Sequence, residues 1–163
     1  MNEVIKTINN HRSNRSFVKG YKLHKEELDI IIKSSKQAPS WMNGQHYSIV
    51  VIDDEDLKNT IWELSKSNIH ISTSSVFLLY CADLTRHKLS SEKHFSNFNI
   101  EDNLDTIITA TTDVALAMQN AVLAAESLGY GTVCCGAIRS AAKELIEILE
   151  MPKYTYPICG ISI

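Results

Sequence analysis

The chain lacks the patterns that most readily assign a function. Its 16 lysine and arginine residues are outnumbered by 19 acidic ones, for a net charge of −3. The two signs are mixed, and no basic face points to nucleic acid as a partner. The N-terminus, Met1-Asn2-Glu3-Val4-Ile5-Lys6, has no apolar core of the kind a secretory leader needs. The densest apolar run, Val76 to Ala82, suits a buried strand and is far too short to span a bilayer. A cytoplasmic protein without a membrane partner is expected. The four cysteines form no C-x-x-C pair, and the six histidines show no H-x-x-x-H or H-E-x-x-H spacing. No metal site is expected, and the cysteines read as reduced core thiols. No serine or cysteine sits in a nucleophile elbow, and no G-x-G-x-x-G marks a dinucleotide fold. Internal repeats and low-complexity linkers are missing too.

What is present suits one core-bearing domain over residues 1–163, with 44% hydrophobic residues. Val4, Ile5 and Ile8 predict a short helix over 2–10, and Leu28, Ile31 and Ile32 a second over 25–37, ended by Pro39. Tyr47 to Ile52 reads as a strand. Asp53 or Asp54 can cap a helix that carries Leu57, Ile61 and Leu64 on one face. A strand follows at 76–82. Residues 83–104, rich in Ser, His and Asn, read as a mobile excursion in which His87 and His94 are solvated. The stretch 105–129 reads as a helix with apolar residues around most of its circumference, which must be buried in the middle of the domain or at a subunit interface. Gly129 and Gly131 stop it. A strand at 132–135, a helix at about 140–150 and a strand at 157–163 complete the chain. The final run resembles the inside of a strand, as if a longer domain were cut there.

Three segments carry candidate chemistry. Arg12, Ser13 and Arg15 offer two guanidiniums and a hydroxyl within four positions, a set suited to a phosphate or another planar anion. Alone, such a string is an ordinary solvated surface. Residues 39–45 combine donors and acceptors (Ser40, Asn43, Gln45) with apolar surface (Trp41, Met42), a mixture suited to a flat amphipathic ligand or simply to a turn. Around Gly136 and Ala137, small residues would let a ligand approach the backbone closely.

Together these segments resemble the nitroreductase family, in its branch of NADPH-dependent flavin and nitro-compound reductases. The matching pieces run in order: His11-Arg12-Ser13-Asn14-Arg15-Ser16-Phe17, Ala38-Pro39-Ser40-Trp41-Met42-Asn43-Gly44-Gln45, Cys81-Ala82-Asp83 with Arg86-His87, and Met118-Gln119-Asn120-Ala121 through Gly129-Tyr130-Gly131, then Gly136 and Arg139. The resemblance implies an α+β fold, a mixed sheet flanked by helices around a central buried helix, in a homodimer with FMN between the subunits. His11, Arg12 and Ser13 would hold the FMN phosphate, and Arg15 would approach the pyrimidine edge of the ring. Ser40, Trp41, Met42, Asn43 and Gln45 would reach the FMN of the partner. Asn68 would lie near the flavin, and the backbone at Cys135, Gly136 and Ala137 would face the ring. Ala137 stands where the branch has glycine, and Trp41 is bulkier than the residue usual there.

The implied reaction passes a hydride from NADPH or NADH through FMN to a small-molecule acceptor: a nitro compound, a quinone or a flavin. The flavin carries that chemistry, so no catalytic acid or base is named. Family chains continue past the equivalent of Ile163 with a Lys-x-Arg phosphate clamp. The alternative reading is therefore a shortened member that binds flavin or dimerises without turnover.

Overall fold

The computed structural model describes residues 2–66, 69–100 and 103–163. The expected elements form at or near the expected bounds. Helix α1 covers Glu3–Asn10 and α2 covers Lys25–Lys36; a single 3-10 turn at Trp41–Asn43 leads into strand β1, Tyr47–Ile52. Helix α3, Glu55–Ser65, is capped by Asp54, whose side chain accepts from the Leu57 N–H at 2.8 Å. Then come α4 (His70–Thr73), β2 (Phe77–Asp83), α5 (Thr85–Lys93) and α6 (Leu104–Ser127). Strand β3 (Val133–Cys135), a 3-10 segment (Gly136–Ala141), α7 (Ala142–Ile148) and β4 (Thr155–Ser162) close the order.

The strands form one sheet in the order β1-β2-β4-β3, and all three ladders are antiparallel. Among the described residues, parallel pairing enters only through the isolated bridge between Ser13 and Thr132. Strand β2 lies inside, and its alternation splits the core in two. Leu78 and Tyr80 face α6 and α2, packing with Val114, Ala117, Ala121, Val122, Ala125 and Ile31. Phe77, Leu79 and Cys81 face the other way, against Ile61, Ile71, Ile138 and Leu145. Helices therefore cover both faces of the sheet, which is why β2 reads as an unbroken apolar run rather than an alternating one. Gly160 on β4 is required by this packing: a Cβ there would lie 2.1 Å from the Phe77 ring.

Helix α6 is the long central helix. Its buried residues, Ala110, Asp113, Val114, Ala117, Ala121, Val122 and Ala125, form one stripe at helical spacing. By length and composition α6 could cross a membrane; here its stripe lies on the sheet and carries a buried carboxylate. Alanines let α2 come close, and Ser35 donates to the Ala117 carbonyl at 2.8 Å. That uses the one hydroxyl hydrogen of Ser35, so Tyr80 is the donor in the 2.9 Å bond between the two hydroxyls. The expectation of burial on nearly every side is not met within one chain. Leu104, Ile107, Ile108 and Leu116 remain exposed, as do Val4, Ile5 and Ile8 of α1.

The stretch read as an excursion contains a helix. Asp83 accepts from the Thr85 N–H at 2.9 Å and starts α5. Leu84 N–H donates to the Tyr154 carbonyl, and Phe98 meets the Tyr154 ring edge-on, centroids 5.2 Å apart. These ties come from the segment before β4, so local composition cannot announce them.

Candidate functional site

After α1 the chain runs extended past Thr132. Asn14 N–H donates to the Thr132 carbonyl at 2.8 Å, beside the Ser13–Thr132 bridge. Gly131 is needed there, because a Cβ would meet the Asn14 amide at 2.3 Å. Glu126, near the end of α6, gathers the segment: one of its oxygens lies 2.7 Å from His11 Nδ1 and accepts from the Thr132 hydroxyl at 2.8 Å. Arg12 and Asn14 line one cavity of about 590 Å³ together with Lys6, Glu126 and the backbone of Gly129–Gly131. Arg15 lies toward α4. Burial first, and the Arg15 charge second, hold the His70 imidazole below its ordinary pKa. Neither Arg12 nor Arg15 forms a salt bridge among the described residues. Asn68, expected near the same site, lies outside the described residues.

Strand β3 carries the next group. Cys135 is buried and Cys134 exposed, on opposite faces as adjacent strand residues must be. Burial pushes the Cys135 thiol up to about 11 and the Cys81 thiol up to about 12, so neither is a thiolate near neutrality. At Gly136 an added Cβ would meet nothing closer than the Arg139 guanidinium at 3.7 Å. Unlike Gly131 and Gly160, Gly136 is not demanded by packing within the chain. Ala137 beside it is exposed.

The loop from Ser40 to Gln45 sits elsewhere. It leads into β1, the edge strand opposite β3. Its backbone is tied to Asp113, and its fold is unusual: Met42, Asn43 and Gln45 have φ of 47°, 56° and 53°. Ser40 accepts from the Gln45 N–H at 3.1 Å, and Arg86 donates to the Gln45 carbonyl and side-chain oxygens at 3.3 Å. Trp41 and Met42 point outward, 58% and 81% exposed. At 1.5 Å per residue, Asp113 and Glu126 are roughly 20 Å apart along the α6 axis. One chain therefore brings His11 through Arg15 to the β3 edge, where Cys135–Ala137 lie, and keeps Ser40–Gln45 at the other edge.

Three features escaped the sequence reading. Asp113 and Glu126, which hold the two regions, are polar breaks in an apolar helical pattern; that interruption was the available signal. His87, read as solvated, stacks on His46 with centroids 4.2 Å apart and planes at 8°. Its Nδ1 is buried without a hydrogen-bond partner, and burial, then His46 and Arg86, lower its pKa. Tyr130 donates to Glu27 and lies 3.1 Å from the Tyr21 hydroxyl, tying the end of α6 to α2. Among the described residues, no cluster of three His, Cys, Asp or Glu side chains could hold a metal ion.

Comparison with known proteins gives a consistent picture. The chain is 42% identical to a Bacillus subtilis protein named FMN reductase (NAD(P)H), and 35% identical to the FMN reductase (NADPH) of the same organism. Each match takes in all of this chain and 66% of the relative, so the chain spans slightly under two thirds of their length. Among solved structures, NfrA2 of B. megaterium superposes with a TM-score of 0.96 at 38% identity, covering 99% of this chain and 65% of that one. The NADPH:FMN oxidoreductase from Vibrio harveyi, solved with NAD+, gives 0.88 at 28% identity, over 99% and 67%. The sequence model of the Nitroreductase family matches residues 8–163, and this chain, with its three-layer fold and its paired arginines beside β3, belongs to that family.

Proposed function

We propose that this chain forms the flavin-holding part of an NAD(P)H-dependent FMN oxidoreductase, working as a homodimer. The observation that carries the reading is the β3 edge: the strand of Arg12 and Arg15, neither in a salt bridge among the described residues, joins the edge that also carries Gly136, whose missing Cβ no close contact requires. Exposed guanidiniums suit a phosphate and an electron-rich ring edge, and an unfilled Cβ position suits close approach of a planar ring to backbone. The relatives named as FMN reductases support the choice of FMN.

Bound FMN would supply the redox chemistry, taking a hydride from NADPH or NADH and passing it to a nitro, quinone or flavin acceptor. The chain's own residues bind and orient. Arg12 and Ser13, with His11 braced by Glu126, hold the phosphate end. Arg15 places a cation where negative charge gathers on reduction, which favours the reduced form. Backbone at Cys135, Gly136 and Ala137 lies against the ring. Ser40, Trp41, Met42, Asn43 and Gln45 serve the flavin of a second copy, because in one chain they hang from Asp113, roughly 20 Å along α6 from Glu126, which holds the arginine strand at the opposite sheet edge.

The test is a fluorescence titration with FMN and with riboflavin, followed by anaerobic NADPH. FMN should bind at least roughly tenfold more tightly, about 1.4 kcal/mol, since only FMN carries the phosphate. NADPH should then bleach the bound flavin. Equal affinities would remove Arg12 and Ser13 from phosphate binding. Tight FMN binding without bleaching would favour a binding module without turnover.

A further inference from the structure

We infer that Asp113 is the positioning residue of the Ser40–Gln45 loop: one buried carboxylate on α6 ties both ends of the loop and so presents Trp41 and Met42 to a flavin held by a second copy of this chain. The part about flavin rests on the reading above; the part about the loop does not.

Asp113 is 1% exposed and is the one polar member of the otherwise apolar buried stripe of α6. Such a carboxylate is costly to bury unless its lone pairs are filled. Here they are filled by the loop. Oδ1 accepts from the Trp41 N–H at 2.9 Å. Oδ2 accepts from the His46 N–H at 3.2 Å and lies 2.8 Å from His46 Nδ1, which must carry a proton to donate to it. The two backbone donors bracket the loop, one at its second residue and one just past its last. A neutral amide could accept through one oxygen only and would set an N–H₂ against the other donors.

The loop needs such a tie. Non-glycine residues in the left-handed region are disfavoured, and Met42, Asn43 and Gln45 all occupy it. Within the turn, the bonds Asn43 N–H to Ser40 O and Gly44 N–H to Trp41 O are local and leave its orientation on the domain open. Asp113 supplies that orientation at Trp41 and His46, with Arg86 adding bonds to Gln45 alone. The His46 imidazole fills the space beneath the turn, where a Cβ on Gly44 would come within 2.2 Å of it. His87 stacks on the His46 ring. Held this way, the apolar side chains of Trp41 and Met42 stand exposed on a fixed backbone. A surface fixed before binding loses less freedom when the ligand arrives.

The experiment uses the full chain and its Asp113→Asn variant, with site-resolved amide hydrogen exchange and FMN titration. In the unmodified chain the Trp41 and His46 amides should exchange at least roughly tenfold more slowly than Met42, whose N–H has no such acceptor. In Asp113→Asn that protection should vanish while the β2 amides keep theirs, and FMN affinity should fall roughly tenfold or more. Unchanged exchange at Trp41 and His46 would overturn the anchoring. Loosened amides with unchanged FMN affinity would overturn the link to the flavin. Should the variant fail to fold, the comparison of Trp41 and His46 with Met42 in the unmodified chain still decides the anchoring. A wild-type chain that binds no FMN would sink the functional reading and leave the anchoring to the exchange data.

Discussion

Three glycines show how differently the same residue can be used. Gly131 and Gly160 are demanded from inside, where Asn14 and Phe77 occupy the space a Cβ would need. Gly136 has only the Arg139 guanidinium near it, at 3.7 Å, an ordinary contact. The contrast yields a residue-scale prediction. Gly136→Ala should leave thermal stability within about 1 kcal/mol of the parent, because alanine fits and narrows the unfolded ensemble. It should weaken FMN binding by roughly tenfold or more, about 1.4 kcal/mol, because the new methyl stands where the ring would rest. Calorimetry paired with a flavin titration checks both. Unchanged affinity would move the flavin away from this backbone.

At the scale of elements, α4 and α5 each bring a histidine against a charged or buried neighbour. Burial, then Arg15, lowers the His70 pKa. Burial, then His46, then Arg86, lowers that of His87. In the unfolded chain both return to about 6.5. The unfolded state then takes up protons before the folded state does, so stability rises with pH across this window. The contribution is complete above about pH 6.5 and falls as pH drops from there toward the lower folded values. Urea midpoints should decline between pH 7.5 and 5.5, and His87→Gln should flatten the decline. A midpoint that rises on acidification would contradict the burial of both rings. The same element-scale view explains why α5 exists at all. Its sequence is polar, yet Asp83 starts it and the Tyr154 segment holds it in place.

The whole molecule leaves apolar surface uncovered. Leu104, Ile107, Ile108 and Leu116 on α6 lie exposed, and so do Val4, Ile5 and Ile8 on the neighbouring α1. The candidate site is divided between opposite edges of the sheet, so a second copy would complete it as well as cover this face. Stable homodimer interfaces are large and apolar, commonly 2,000 Å² or more in total. Light scattering should therefore find a dimer at micromolar concentration, and Ile107→Glu should shift it toward monomer and weaken FMN binding together. A monomer that binds FMN as tightly as the dimer would confine the site to one chain.

The main elements were legible because their causes are local. Apolar spacing marked α1, α2, α3 and α6; the unbroken apolar run marked β2; Asp54 marked a helix start. The arginine strand was legible as chemistry, since guanidiniums and a hydroxyl crowd into four positions. Periodicity could not reveal the division of the site, which only the family resemblance anticipated, because the order β1-β2-β4-β3 depends on long-range pairing. It could not reveal α5 or the burial of His87, whose partners come from the His46 loop and the segment before β4. Asp113 is the sharpest case. In the sequence it is one of several polar residues in a mostly apolar helix. Its partners Trp41 and His46 stand 72 and 67 residues away, and only folding brings those donors to its oxygens, because a buried carboxylate persists only where the tertiary structure supplies its hydrogen bonds.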